Sequence, residues 1–112
     1  MYVNEEIKKY DVAIYGGGKN TTGYTYRAII GLRRADGSLI GAAYFYRDPA
    51  AMPNTDMQSS GGYVWCNYTW DDFSQVVDVL RNEEPVYLRY VDGWNLASIT
   101  TSLEPVGEGE SP

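Results

Sequence analysis

The chain contains no histidine and a single cysteine, Cys66. Without an imidazole there is no histidine-based triad and no histidine general base. With at most one thiolate, a zinc or other transition-metal site has almost nothing to hold it. No internal disulfide can form. Cys66 sits in "YVWCNYTW", among aromatics and without a cationic neighbour, so it reads as a small buried hydrophobe, not a nucleophile. No metal and no cofactor is expected. Long apolar runs are missing too. The longest, "IGAAYFY", is far short of a bilayer span and is broken by glycine. The stretch "MYVNEEIKKYD" places its acids before its lysines and has no apolar segment behind them. That is not a secretory signal, so a cytoplasmic protein without membrane contact is expected, and the Asn20 and Asn67 sequons are read as chance.

Basic charge is scarce in the second half. Residues 1–50 carry seven basic and five acidic side chains, whereas residues 51–112 carry two basic and ten acidic, giving a net charge of −6. Phosphates would be repelled by the acidic half, which argues against nucleic acid bound across the whole surface and leaves one basic face for it.

What is present fits one folded unit. At 112 residues, with 44% hydrophobic and 21% charged side chains, the chain can bury one modest core. A single α+β domain is expected over 1–103, with residues 1–9 frayed and 104–112 an acidic disordered tail.

The stretch "YGGGKNTTGY" (15–24) resembles a phosphate cradle only at first sight. A Walker loop needs glycine five residues before its Gly-Lys pair and a hydroxyl residue after it; here those places hold Ala13 and Asn20. Such a loop must also open a helix whose free N–H groups take the anion, yet "YTYRAIIGLRR" follows, with strand character. It is read as a loop between strands.

"YDVAIY" (10–15) is the first strand expected. Two strand-like runs, 24–34 and 39–47, flank Asp36-Gly37, a hairpin signal in which glycine supplies the positive φ. Two registers fit it. A two-residue turn pairs Ile30 with Ala43 and Ala28 with Phe45; a three-residue turn with a glycine bulge pairs Ile30 with Ala42 and Ala28 with Tyr44. The choice decides which of Phe45, or Tyr44 and Tyr46, turns inward. Either way Ala28, Ile30 and Leu32 share one face, and Arg27 and Arg33 the other. Residues 48–62 form a long polar loop, a mobile connection or a lid. A strand over 63–68 leads to a helix over about 70–83. Thr69 and Asp72 suggest a capping box, Tyr68 and Phe73 a hydrophobic staple, and Phe73, Val76, Val77 and Leu80 an apolar stripe; Pro85 ends it. Runs 85–91 and 94–103 around Asp92-Gly93 give a second hairpin of the same chemistry. The expected architecture is therefore an antiparallel sheet of about six strands, order β-β-β-β-α-β-β, with one amphipathic helix on one face. In element order alone its four-strand-plus-helix part is similar to single-stranded-DNA binders of the Whirly and Pur-alpha type.

Carboxylates offer little chemistry. Asp71 and Asp72 are adjacent on a helix and diverge, and Glu83 and Glu84 lie at its solvated end. The tryptophans Trp65, Trp70 and Trp94 are read as core or core-edge residues. Eleven tyrosines against two phenylalanines are the unusual feature. Tyr24, Tyr26, Arg27, Arg33, Tyr44, Tyr46, Arg47, Tyr87, Arg89 and Tyr90 share strands. A face of rings and guanidinium groups suits a protein partner or a second copy of the chain, and it can also stack single-stranded nucleic acid. The reading is a non-catalytic interaction module, homo-oligomeric, contacting through Tyr26, Arg27, Arg33, Tyr44, Tyr46 and Arg89. A single-stranded nucleic-acid binder using the same face is the alternative.

Overall fold

The computed structural model describes residues 2–17, 25–103 and 106. Strands β1 (Tyr2–Ile7), β2 (Lys9–Ile14), β3 (Tyr26–Arg33), β4 (Leu39–Tyr46), β5 (Met57–Gln58), β6 (Val64–Thr69), β7 (Val86–Val91) and β8 (Leu96–Thr101) accompany one α-helix, α1 (Phe73–Asn82). The fold is α+β, as the element pattern predicts. The strands form two sheets and not one, however: a three-stranded sheet in the order β1-β7-β8 and a five-stranded sheet in the order β2-β3-β4-β6-β5. The segment expected to fray is β1, antiparallel to β7, with Ile7 opposite Val86. Ile7 is buried. Its polar neighbours Asn4, Glu5 and Glu6 hide the strand from a reading based on hydrophobicity.

The five-stranded sheet is mixed, because β4 and β6 run parallel. Parallel neighbours need a long crossover, and residues 47–63 supply it. They are not a structureless connection. A 3-10 turn over Pro49–Ala51 is capped by Asp48, whose side chain accepts the Ala50 N–H, and β5 adds a short edge. Between them the Asp56 carboxylate accepts the Asn67 N–H at 2.7 Å on one oxygen and the Ala97 N–H at 2.9 Å on the other. The crossover thus fastens β6 of one sheet to β8 of the other.

The first hairpin combines both registers weighed from sequence. Its turn is the three-residue kind: Arg34 donates to the Ser38 carbonyl, and Gly37 takes φ 91°. Yet the core register is that of the two-residue turn, with Ile30 opposite Ala43 and Ala28 opposite Phe45. The register slips between Leu32 and Arg33, where β4 contains the extra residue Ile40, a bulge that restores the pairing. Phe45 therefore turns inward, fully buried. A second slip, between Tyr26 and Ala28, leaves Arg27 as the extra residue. In the β7–β8 hairpin Val91 faces Leu96, and the positive φ falls on Asn95 (49°), not on the glycine.

A 3-10 turn over Trp70–Asp72 leads into α1, close to the expected helix, although Thr69 makes no side-chain capping bond. Phe73, Val76, Val77 and Leu80 all join the core. Phe45 lies between the expected staple residues, 5.3 Å from the Tyr68 ring and 5.1 Å from Phe73. The two sheets and the helix enclose one cluster that includes Ile30, Phe45, Val64, Cys66, Val76 and Leu88. Leu88 of β7 passes directly over Gly41 of β4, so the close approach of the two sheets depends on the missing side chain.

Candidate functional site

The outer face of the five-stranded sheet is aromatic. Because Phe45 points inward, Tyr44 and Tyr46 point outward, and the bulge at Arg27 brings Tyr26 to the same side, opposite Tyr46. The Tyr26 ring lies 5.1 Å from Tyr44 and 5.3 Å from Tyr46. Tyr63 and Trp65 continue the surface with rings 4.9 Å apart, and the hydroxyls of Tyr44 and Tyr63 are hydrogen-bonded at 2.8 Å. The Tyr46 hydroxyl donates to Asn67 Oδ1 at 3.0 Å. Burial pushes the Tyr46 pKa up to about 12. Burial also raises that of Tyr63, helped by its bond to Tyr44. These rings are held in place by one another and by their hydroxyls.

Of the six residues expected at the site, Tyr26, Tyr44 and Tyr46 are brought together and the three arginines are not. Arg27 stands 5.3 Å from the Trp70 ring, toward α1, and donates to the Tyr15 carbonyl at 2.5 Å. The expectation that it shares a face with Arg33 fails, because the bulge breaks the alternation at that residue. Arg33 bonds Asp11 at 2.6 Å and the Gly37 carbonyl at 2.9 Å. Arg89 belongs to the other sheet, opposite Asn4 and Ser98. Tyr24 lies outside the described residues. Tyr63 and Trp65 were missed; their odd numbers alternate with buried Val64 and Cys66, a signal readable only once the buried face is known. Trp70 meets the core at its edge, as expected, stacked 4.7 Å from Phe73. Trp94 does not: it caps the β7–β8 turn, 74% exposed.

No family model, no curated protein and no solved structure matches this chain.

Other chemistry is limited. Residues 15–17 and 25 flank the glycine-lysine segment, which runs from β2 to β3; residues 18–24 lie outside the described ones. The element that follows among the described residues is the strand β3, where a phosphate loop would require a helix. Asp56 borders a groove of about 290 Å³ together with Met52, Trp94 and Leu96. Burial holds its carboxyl above the ordinary range, partly offset by the backbone N–H groups of Ala97 and Asn67. Each of its oxygens accepts one of those backbone N–H groups, so Asp56 serves as a structural acceptor between the two sheets. Cys66 is fully buried, and burial pushes its thiol pKa up. Among the described residues no helix is long and apolar enough to cross a membrane.

Proposed function

We propose that this protein is a non-catalytic interaction module that engages a protein partner through the ring surface of Tyr26, Tyr44, Tyr63 and Trp65. The Tyr44–Tyr63 hydroxyl contact of 2.8 Å carries the reading. Rings already fixed lose little freedom on binding, and tyrosine and tryptophan supply large contact area with few rotatable bonds. The Tyr44 and Tyr63 hydroxyls stay satisfied by each other while the ring faces are free to be covered. The nucleic-acid alternative is less well supported. Stacking of bases is ordinarily paired with a cationic track for phosphates, and Arg27, Arg33 and Arg89 all lie elsewhere or are engaged by a carboxylate.

The test places a photo-crosslinking amino acid at Tyr44 and, as a control, at Tyr87 on the three-stranded sheet, in the host cell. A discrete protein adduct from position 44 alone, lost when Tyr26→Ala is added, supports the reading. Equal adducts from both positions count against it. So does a titration with oligo-dT in low salt that shifts the amide resonances of β4 and β6.

A further inference from the structure

We propose that β2 pairs edge to edge with β2 of a second copy of this chain, antiparallel about a two-fold axis at Val12. The two copies would then share one continuous sheet. This does not rest on the tyrosine-face reading, since the two surfaces share no residue.

The backbone supplies the first argument. Tyr15 N–H bonds the Arg27 carbonyl at 2.9 Å, continuing a register in which Ile14 faces Ala28 and Val12 faces Ile30. In an antiparallel ladder the groups alternate. Lys9, Asp11 and Ala13 therefore aim their N–H and C=O at β3, and Tyr10, Val12 and Ile14 aim theirs away. Among the described residues no strand lies along that side, for β2 ends the five-stranded sheet.

Side chains supply the second. Tyr10, Val12 and Ile14 face the same way as Leu32, Ile30 and Ala28, toward the core. The helix and the second sheet do not reach the end of that row: Val12 is 41% exposed and Ile14 55%. An uncovered apolar row beside unpaired backbone groups is a template for another strand. The other edges are defended. β5 has two residues, β1 carries Glu5 and Glu6, and the Ala97 N–H of β8 is taken by Asp56.

Symmetry selects the occupant and the register. Centred on Val12, each Tyr10 meets Ile14 of the other copy, Val12 meets its own equivalent, and every outward backbone group finds a partner. The facing side chains are apolar, and Asp11 falls opposite Ala13. Centring on Asp11 would instead set Ile14 against Lys8 of the other copy and bring the two Asp11–Arg33 ion pairs together, a poorer match of side chains. A short strand pair buries less than a standard interface, so the dimer should be weak. Both copies carry a net charge of −6, so added salt should strengthen the pairing by screening, the opposite of its effect on oligonucleotide binding.

The experiment is sedimentation velocity on the full chain from about 5 to about 500 µM, a range wide enough to reveal a weak, transient interface, with two variants. Ile14→Lys places a charge that the monomer can leave in water. Val12→Pro removes a donor that the monomer does not use, which an edge strand tolerates. Wild type should pass from monomer to dimer, while both variants stay monomeric with an unchanged circular dichroism spectrum. Val12→Cys should oxidise to a disulfide-linked dimer, because paired residues lie about 5.5 Å apart. Ala13→Cys, offset from its own equivalent, should not. Wild type that stays monomeric throughout overturns the proposal. A dimer that survives both substitutions, or equal cross-linking at 12 and 13, overturns it too; a dimer lost with Tyr44→Ala instead would move self-association to the aromatic face.

Discussion

The carboxylate of Asp56, on the crossover between β4 and β6, accepts the backbone N–H of Ala97 in β8 at 2.9 Å. Its other oxygen holds Asn67 of β6, so one side chain joins the two sheets. Asp56→Ala leaves two partly buried donors unsatisfied, at about 1–3 kcal/mol each where water cannot replace the oxygen. A loss of about 2 kcal/mol in urea unfolding, with an unchanged m value, is expected.

The same residue makes a pH prediction. Burial raises the folded-state pKa of Asp56 above its unfolded value of 3.8. The native state then binds the proton more tightly, so this group's contribution is fullest below pH 3.8 and declines as pH rises through the folded value. The stability gap between wild type and Asp56→Ala should narrow from pH 3.5 toward neutrality. A gap that widens over that interval would mean the carboxylate is not desolvated.

Two glycines are held for different reasons. A Cβ on Gly41 would stand 2.4 Å from the Val64 carbonyl oxygen and 3.1 Å from Leu88 Cδ2, so Gly41→Ala pushes on backbone and on the opposite sheet. A cost of about 2–3 kcal/mol is expected from overpacking. Gly37 has open space around it but φ 91°, so Gly37→Ala should cost about 1 kcal/mol through backbone strain alone. Thermal unfolding of the two variants checks the order.

Cys66 should be silent in the native protein. It is 0% exposed, with its thiol pKa pushed up by burial. Reaction with Ellman's reagent should proceed at the rate of unfolding, and stoichiometric labelling within the mixing time would contradict the burial.

Tyrosine ionisation should divide into two classes. Burial raises Tyr46 to about 12, and Tyr63 and Tyr68 are raised in the same way. Stability from Tyr46 is fully present below pH 10 and is lost as pH climbs through about 12. Absorbance at 295 nm should show a lagging fraction that appears only with unfolding. A single transition near pH 10 in the folded protein would exclude a buried Tyr46.

Much of the local structure is legible in the residues themselves. Phe73, Val76, Val77 and Leu80 mark α1 by their spacing, Pro85 marks its end, and the Asp36-Gly37 corner contains the glycine φ it requires. Cys66 among aromatics is buried as its neighbours suggest. The candidate site is half legible. Tyr26, Tyr44 and Tyr46 were found by counting rings, but their association with three arginines was not real. Arg27 leaves the face at a bulge, Arg33 turns to Asp11, and Arg89 is in the other sheet.

The sequence by itself determined the hairpin corners, the helix and most of the extended segments, because those choices depend on neighbours a few residues away. Only the tertiary structure decided that β4 and β6 run parallel, that β1 joins β7, and which tyrosines look outward. Side chains of a strand alternate with period two, so one inserted residue, Ile40 or Arg27, reverses every orientation beyond it. No local signal announces that insertion; it is set by what lies across the ladder and beneath the sheet.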